Sequence, residues 1–268
     1  MSKHKILTFT PVWQRPEVFE ICLAGLERLK NYKPEKFYIR PFFIVSEFRA
    51  ARMVEEYGYD YILWQNLPLG AKKNAGLRYA MENYQFDYLM EVGSDDIIAN
   101  DYLDFIAPEL ENKTPHFVAN KVWMFDVVLG KSAYAKTDKI IGAGRCIHYD
   151  ALKSFAPDYE LWEPEKNRGL DTSSWQRLLQ TNVSCKLLDT EDHYTLDIKS
   201  NVNIHPIHAF HVLPDSSEML ANFQECGQIW VLHEQLRETI SPDALKEHNA
   251  WNNLRGEEKL LVEFLQKI

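Results

Sequence analysis

Apolar positions in the first hundred residues alternate between two spacings. Short runs at Lys5 to Thr10, Phe37 to Val45, Tyr59 to Trp64 and Phe86 to Val92 are rich in β-branched and aromatic residues and read as strands. Between them, apolar residues recur every three or four positions. Pro16 opens a predicted helix through Asn31, with Phe19, Cys22, Leu23, Leu26 and Leu29 at helical spacing and proline in the turn that tolerates it. A charged helix over Glu47 to Tyr57 stops at Gly58, and a third covers Ala71 to Tyr84. Repeated strand-helix alternation builds a parallel sheet flanked by helices and brings every strand's C-terminal end to one edge, where open α/β sheets take ligands.

Past the fourth strand the regular alternation ends. Gly93-Ser94-Asp95-Asp96 leads to a predicted helix from Asn100 to Glu111, then one strand-like run over His116 to Val128. Helices are expected over Asp150 to Phe155 and Asp171 to Thr181, and strands over Val183 to Leu188 and Tyr194 to Ile198. From Ser217 the spacing is helical, through Leu220, Phe223, Ile229, Leu232 and Leu236 and again from Leu260 to Ile268. The expected organisation is an α/β domain over 1–214, divided at 98/99, and a helical appendage over 215–268.

The 268 residues, 46% hydrophobic and 26% charged, suit a globular domain and exclude a disordered chain. A net charge of -9 argues against a general nucleic-acid or anionic-membrane surface. No eighteen apolar residues run together, so no integral membrane segment is expected. Cys22, Cys146, Cys185 and Cys226 lie far apart without a Cys-x-x-Cys pair, which argues against a zinc knuckle or disulfide framework and suits the cytoplasm.

Asp95-Asp96 is the strongest candidate for chemistry. Two adjacent carboxylates at the end of a buried strand are costly unless a cation or a set of donors receives them; the alternative is a solvated turn. Together with Thr10-Pro11-Val12-Trp13-Gln14-Arg15-Pro16 and Gly70-Ala71-Lys72-Lys73-Asn74-Ala75-Gly76-Leu77, the segment Phe86 to Asp96 resembles the nucleotide-binding half of GT-A fold glycosyltransferases, family 2-like, across roughly ninety residues. The resemblance implies a GT-A type Rossmann-like, mostly parallel sheet, with 1–98 as nucleotide-binding half and 99–214 as acceptor half. It also implies a nucleotide-sugar donor, a UDP-sugar by preference, a glycan or other hydroxyl acceptor, and Mn2+ or Mg2+. A modified DNA base as acceptor is disfavoured by the acidic charge. Donor-binding residues would be Pro11, Val12, Arg15, Glu47, Lys73, Asn74, Ser94, Asp95, Asp96 and Gly144. Gly93 stands where the family has its first metal-motif aspartate, so the metal would rest on Asp95. The acidic pair after the second strand is reduced to Ser46-Glu47.

Lys73 is expected to face the diphosphate near a helix N-terminus, whereas Lys72 reads as a surface lysine. Gly142 to His148 resembles the segment beneath the donor sugar. Asp171, in Arg168-Gly169-Leu170-Asp171, matches the general base of inverting members; a helix cap is the competing reading. His208 and His211 are candidate extra metal ligands, ahead of His205, and Lys199 could reach a phosphate. Trp123, Trp162 and Trp175 could stack on sugar, though core packing is the default. The alternatives are a nucleotidyltransferase of similar fold, which needs a glycine-rich loop after the first strand where this chain has no glycine, and a non-catalytic nucleotide- or sugar-binding relative.

Overall fold

The computed structural model describes residues 3–200, 207, 210–241 and 243–244. β1 (His4–Val12), β2 (Phe37–Val45), β3 (Asp60–Leu63) and β4 (Tyr88–Glu91) alternate with α1 (Pro16–Lys30), α2 (Phe48–Glu56) and α3 (Leu69–Asn83). β1 pairs in parallel with β2 and with β4, and β2 in parallel with β3. Alternate residues of β2 enter different cores: Phe43 and Val45 pack towards α1 with Phe19 and Leu23, while Phe42 and Ile44 pack towards α3 with Leu77 and Ala80. Side chains alternate along a strand, so a sheet covered on both faces needs apolar residues at every position.

The order in the main sheet is β10-β6-β9-β4-β1-β2-β3. β6 (His116–Ala119) and β10 (Lys186–Leu188) are parallel to each other, and β9 (Cys146–His148) runs antiparallel between β4 and β6. A second sheet, β12-β8-β7-β11-β5, contains β5 (Asp96–Ile98), β7 (Lys121–Asp126), β8 (Lys131–Lys136), β11 (Thr195–Lys199) and β12 (His211–Val212). The run His116 to Val128, expected as one strand, is therefore two strands in different sheets. Asn120 makes the break: its amide donates to Asp189 Oδ1 at 2.7 Å and accepts from Thr190 N at 3.2 Å. Local β-propensity does not report a change of sheet.

α4 (Asn100–Glu111) packs beside α1, whereas α5 (Tyr149–Lys153) and α6 (Leu170–Gln180) lie on the α3 side. α7 (Ser217–Leu220) and α8 (Cys226–Thr239) share a core with Val18 and Ile21 of α1 and with β5, β7 and β11. Arg28 Nε sits 2.6 Å from Glu225 Oε1 across that junction. Among the described residues no helix is long and apolar enough to cross a membrane.

The start of α3 is pinned by backbone contacts, Gly70 N donating to Lys166 O at 2.8 Å and Ala71 N to Pro164 O at 3.0 Å. A Cβ at Gly70 would lie 2.0 Å from Glu163 O. Gly70→Ala is expected to destabilise the protein by about 1–3 kcal/mol, the usual cost of overpacking, read as a lower denaturant midpoint.

Candidate active site

The C-terminal ends of β1 and β4 deliver the central groups. Leaving β1, Gln14 and Arg15 adopt left-handed conformations with φ of 56° and 52°, uncommon for residues with a side chain. This turn brings Arg15 Nη1 to 2.7 Å from Asp95 Oδ2. After β4 the chain closes a tight turn: Asp96 N donates to Gly93 O at 3.1 Å, and Gly93 N donates to Asp96 Oδ2 at 2.6 Å. β11 runs antiparallel to β5 with Asp197 opposite Asp96, and Lys199 pairs with Asp197.

Asp95, Asp96 and Asp197 thus offer ligand atoms all within 4.8 Å of one another. Burial, then Asp95 and Asp197, push Asp96 well above the usual carboxylate range. Burial also raises Asp197, against the pull of Lys199. Crowded carboxylate oxygens, those of Asp96 buried and those of Asp95 and Asp197 half-buried, are a donor set for a hard divalent cation, whose charge relieves their repulsion, so the residues fit Mg2+ or Mn2+.

Two adjoining cavities share Pro11, Gly93, Asp95, Asp197 and Lys199 as a common wall. The first, about 510 Å³, is also lined by Trp13, Arg15, Asn66, Leu69, Lys72, Ser94 and Asn167. The second, about 660 Å³, is also lined by Lys73, Glu91, Asp96, Gly142, Phe210 and Asp171.

Asp171 lies in the first turn of α6, but the N-cap position belongs to Gly169 at φ 66°, with no side-chain cap. Its carboxylate lies so close to Gly142 that a Cβ there would come within 3.0 Å of Asp171 Oδ1. The glycine leaves room for the carboxylate at the second cavity.

Lys72, expected at the surface, is fully buried. Its Nζ donates to Val12 O at 2.7 Å, Ser46 Oγ at 2.8 Å and Asn66 Oδ1 at 3.3 Å, beneath the first cavity. The shallow pattern of α3 hid this, because both faces of its first turn are covered, one by the sheet edge and one by residues 163–167. Burial lowers its pKa to about 7, while Glu47 pulls the other way. The folded protein therefore releases this proton from about pH 7, but the unfolded chain keeps it to about pH 10, so stability rises with pH across that window. Relative to Lys72→Met, the native protein is expected to gain about 2 kcal/mol between pH 7 and pH 9 in chemical denaturation.

Lys73 faces the second cavity, 2.6 Å from Glu91 Oε1 and 4.2 Å from the Trp162 ring centroid. Glu91 Oε2 also meets the buried Arg145 at 2.5 Å, and although burial opposes its charge, Arg145 and Lys73 hold its pKa below the ordinary value.

Of the remaining expected site residues, Pro11, Arg15, Ser94, Asp95 and Asp96 come together at the cavities. Val12 contributes its carbonyl to Lys72, and Glu47 is half-buried at the start of α2, outside both linings. Asn74 holds the backbone of Trp162, donating to its carbonyl at 2.8 Å and accepting from its N–H at 3.0 Å. Gly144, φ 74°, accepts from Tyr102 Oη at 2.8 Å; Gly142 and Ala143 line the cavity instead. His211 is exposed on β12 with its ring 4.7 Å from that of Tyr134, and it is not part of the carboxylate trio. His205 and His208 lie outside the described residues. Trp162 stacks on Phe9 and Trp123 on His193, both in the interior.

Sequence reading missed Glu91 and Asp197. Each is a carboxylate within an apolar strand, Glu91 ending Tyr-Leu-Met and Asp197 between Leu196 and Ile198, and that interruption was the available signal.

No protein-family model matches the chain, and no curated protein matches it in sequence. Among solved structures, the inositol-1-phosphate CTP transferase from T. maritima is similar over 90% of this chain and 99% of that one, at 10% identity and TM-score 0.50. S. aureus TarS in complex with UDP-GlcNAc aligns over 89% and 74%, at 13% identity and TM-score 0.49. The mannosyltransferase PcManGT from Pyrobaculum calidifontis, in complex with GDP-Man and Mn2+, aligns over 99% and 80%, at 12% identity and TM-score 0.48. The chain has a Rossmann-like α/β fold, a mostly parallel central sheet flanked by helices, similar in fold to that of the T. maritima transferase.

Proposed function

We propose that this protein transfers a sugar from a nucleotide-sugar donor to a hydroxyl acceptor. The observation that carries this reading is the pair of cavities meeting at Asp95 and Asp197, with Asp171 on the far cavity. The nucleoside occupies the first cavity beside Asn66 and Trp13, the diphosphate lies at the common wall, and sugar and acceptor meet in the second. Such an arrangement separates a leaving diphosphate from a base on the opposite side of the sugar, as single-step inversion requires.

A divalent cation held by Asp95 with Asp96 and Asp197 would supply Lewis-acid charge at the diphosphate. Asp171 takes the proton of the acceptor hydroxyl as the hydroxyl oxygen attacks the anomeric carbon and the bond from that carbon to the diphosphate oxygen breaks, releasing the nucleoside diphosphate. Arg15 brings a guanidinium to the first cavity, and Lys73, steadied by Glu91, brings a cation to the second. The glycine-free turn after β1 offers no backbone wrap for a triphosphate, which favours sugar transfer over nucleotidyl transfer.

The test is release of nucleoside diphosphate from a panel of nucleotide sugars with Mn2+, with Mg2+ and with chelator. Cation-dependent release from at least one sugar is expected. No release from any of them, with pyrophosphate formed from a nucleoside triphosphate instead, would overturn the reading.

A further inference from the structure

Two of the three clustered carboxylates already hold cations supplied by the chain. Arg15 Nη1 is 2.7 Å from Asp95 Oδ2, and Lys199 pairs with Asp197. The Arg15 and Lys199 side chains are 18% and 9% exposed, so water screens these pairs only in part. Asp95, Asp197 and Lys199 stand in the wall common to both cavities, and Arg15 lines the first.

A divalent cation arriving alone finds Asp95 and Asp197 engaged, and displacing either partner takes from a partly buried positive charge the carboxylate it pairs with. A diphosphate arriving alone finds Arg15 and Lys199 engaged and must strand carboxylates. Removing one member of such a pair is expensive because the other remains desolvated. When both arrive, each satisfies the groups that the other releases, and no charge is left alone. Binding of the two is then coupled, and the coupling is reciprocal.

We propose that Arg15 and Lys199 are the diphosphate-binding cations of this site, held on Asp95 and Asp197 until a diphosphate takes them, so that diphosphate and divalent cation each bind weakly alone and strongly together. The assignment to a diphosphate rests on the nucleotide-sugar reading above, but the exchange of partners is tested without any sugar.

Mn2+ binding is measured by electron paramagnetic resonance in the absence of anions, and binding of inorganic pyrophosphate by calorimetry in chelator, for the full chain and for Arg15→Gln and Lys199→Met. Each substitution frees a carboxylate and deletes an anion partner. Each is expected to tighten Mn2+ alone about tenfold and to weaken pyrophosphate about tenfold, the scale of one charged hydrogen bond. Lys199→Arg, which keeps the charge, is expected to retain the native pattern. Affinities that fall together, or Mn2+ binding left unchanged, would overturn the proposal. Should Lys199→Met fail to fold, Arg15→Gln on its loop decides the matter alone. Opposite-signed changes in a protein that releases no nucleotide from any sugar would sink the transferase reading and leave the exchange standing. Sugar transfer with same-signed changes would do the reverse.

Discussion

Asp171→Asn is expected to leave donor binding nearly unchanged and to reduce sugar transfer by about 10²–10⁴-fold, the range for loss of a general base. Asparagine keeps the shape of the side chain, so the contact with Gly142 and the start of α6 should persist. What it loses is the ability to accept the acceptor's proton. Asp171 has no capping duty that would confuse the result, because Gly169 occupies the N-cap position and no side-chain cap is made there. The Asp171 carbonyl, which accepts from Arg145 Nη1 at 3.3 Å, is untouched by the change. The measurement is single-turnover transfer beside nucleotide affinity by calorimetry. Weakened affinity with unimpaired turnover would make Asp171 a binding residue, and a product retaining the donor's anomeric configuration would remove the need for a base.

Asp95→Ala is expected to abolish cation-dependent transfer, a loss of about 10³-fold or more if the cation supplies several kcal/mol at the transition state. Asp95 lines both cavities, as Asp197 does, and it is the trio member that pairs with Arg15, so its removal takes away a cation ligand and one carboxylate partner of the guanidinium. The variant should still fold, because Arg15 also lies in the field of Asp197 and Asp96. The check pairs transfer rates across a Mn2+ titration with thermal denaturation of the metal-free protein. An unchanged rate would exclude Asp95 from the chemistry, and a collapsed thermal transition would show that its role is to hold the β1 turn.

The sequence by itself determined the first half of this protein. Continuous apolar runs and three-to-four spacing placed β1 through β4 and their helices within a few residues, because a sheet buried on both faces and helices buried on one leave distinct periods in the chain. The same reasoning put Pro11, Arg15 and Asp95 at one edge, since parallel connections leave no other place for strand C-termini. Only the tertiary structure decided the rest. The division of His116 to Val128 between two sheets depends on Asn120 meeting Asp189 and Thr190, about seventy residues away. Lys72 and Lys73 are neighbours of the same type, yet one goes beneath the first cavity and the other to Glu91 in the second, according to what covers each face of α3. Asp197 joins Asp95 and Asp96 through the antiparallel register of β11 on β5, an encounter between residues about a hundred positions apart. Helix and strand periods are local properties of the chain. Charge partners are set by which strands lie side by side, and that is settled only when the whole sheet assembles.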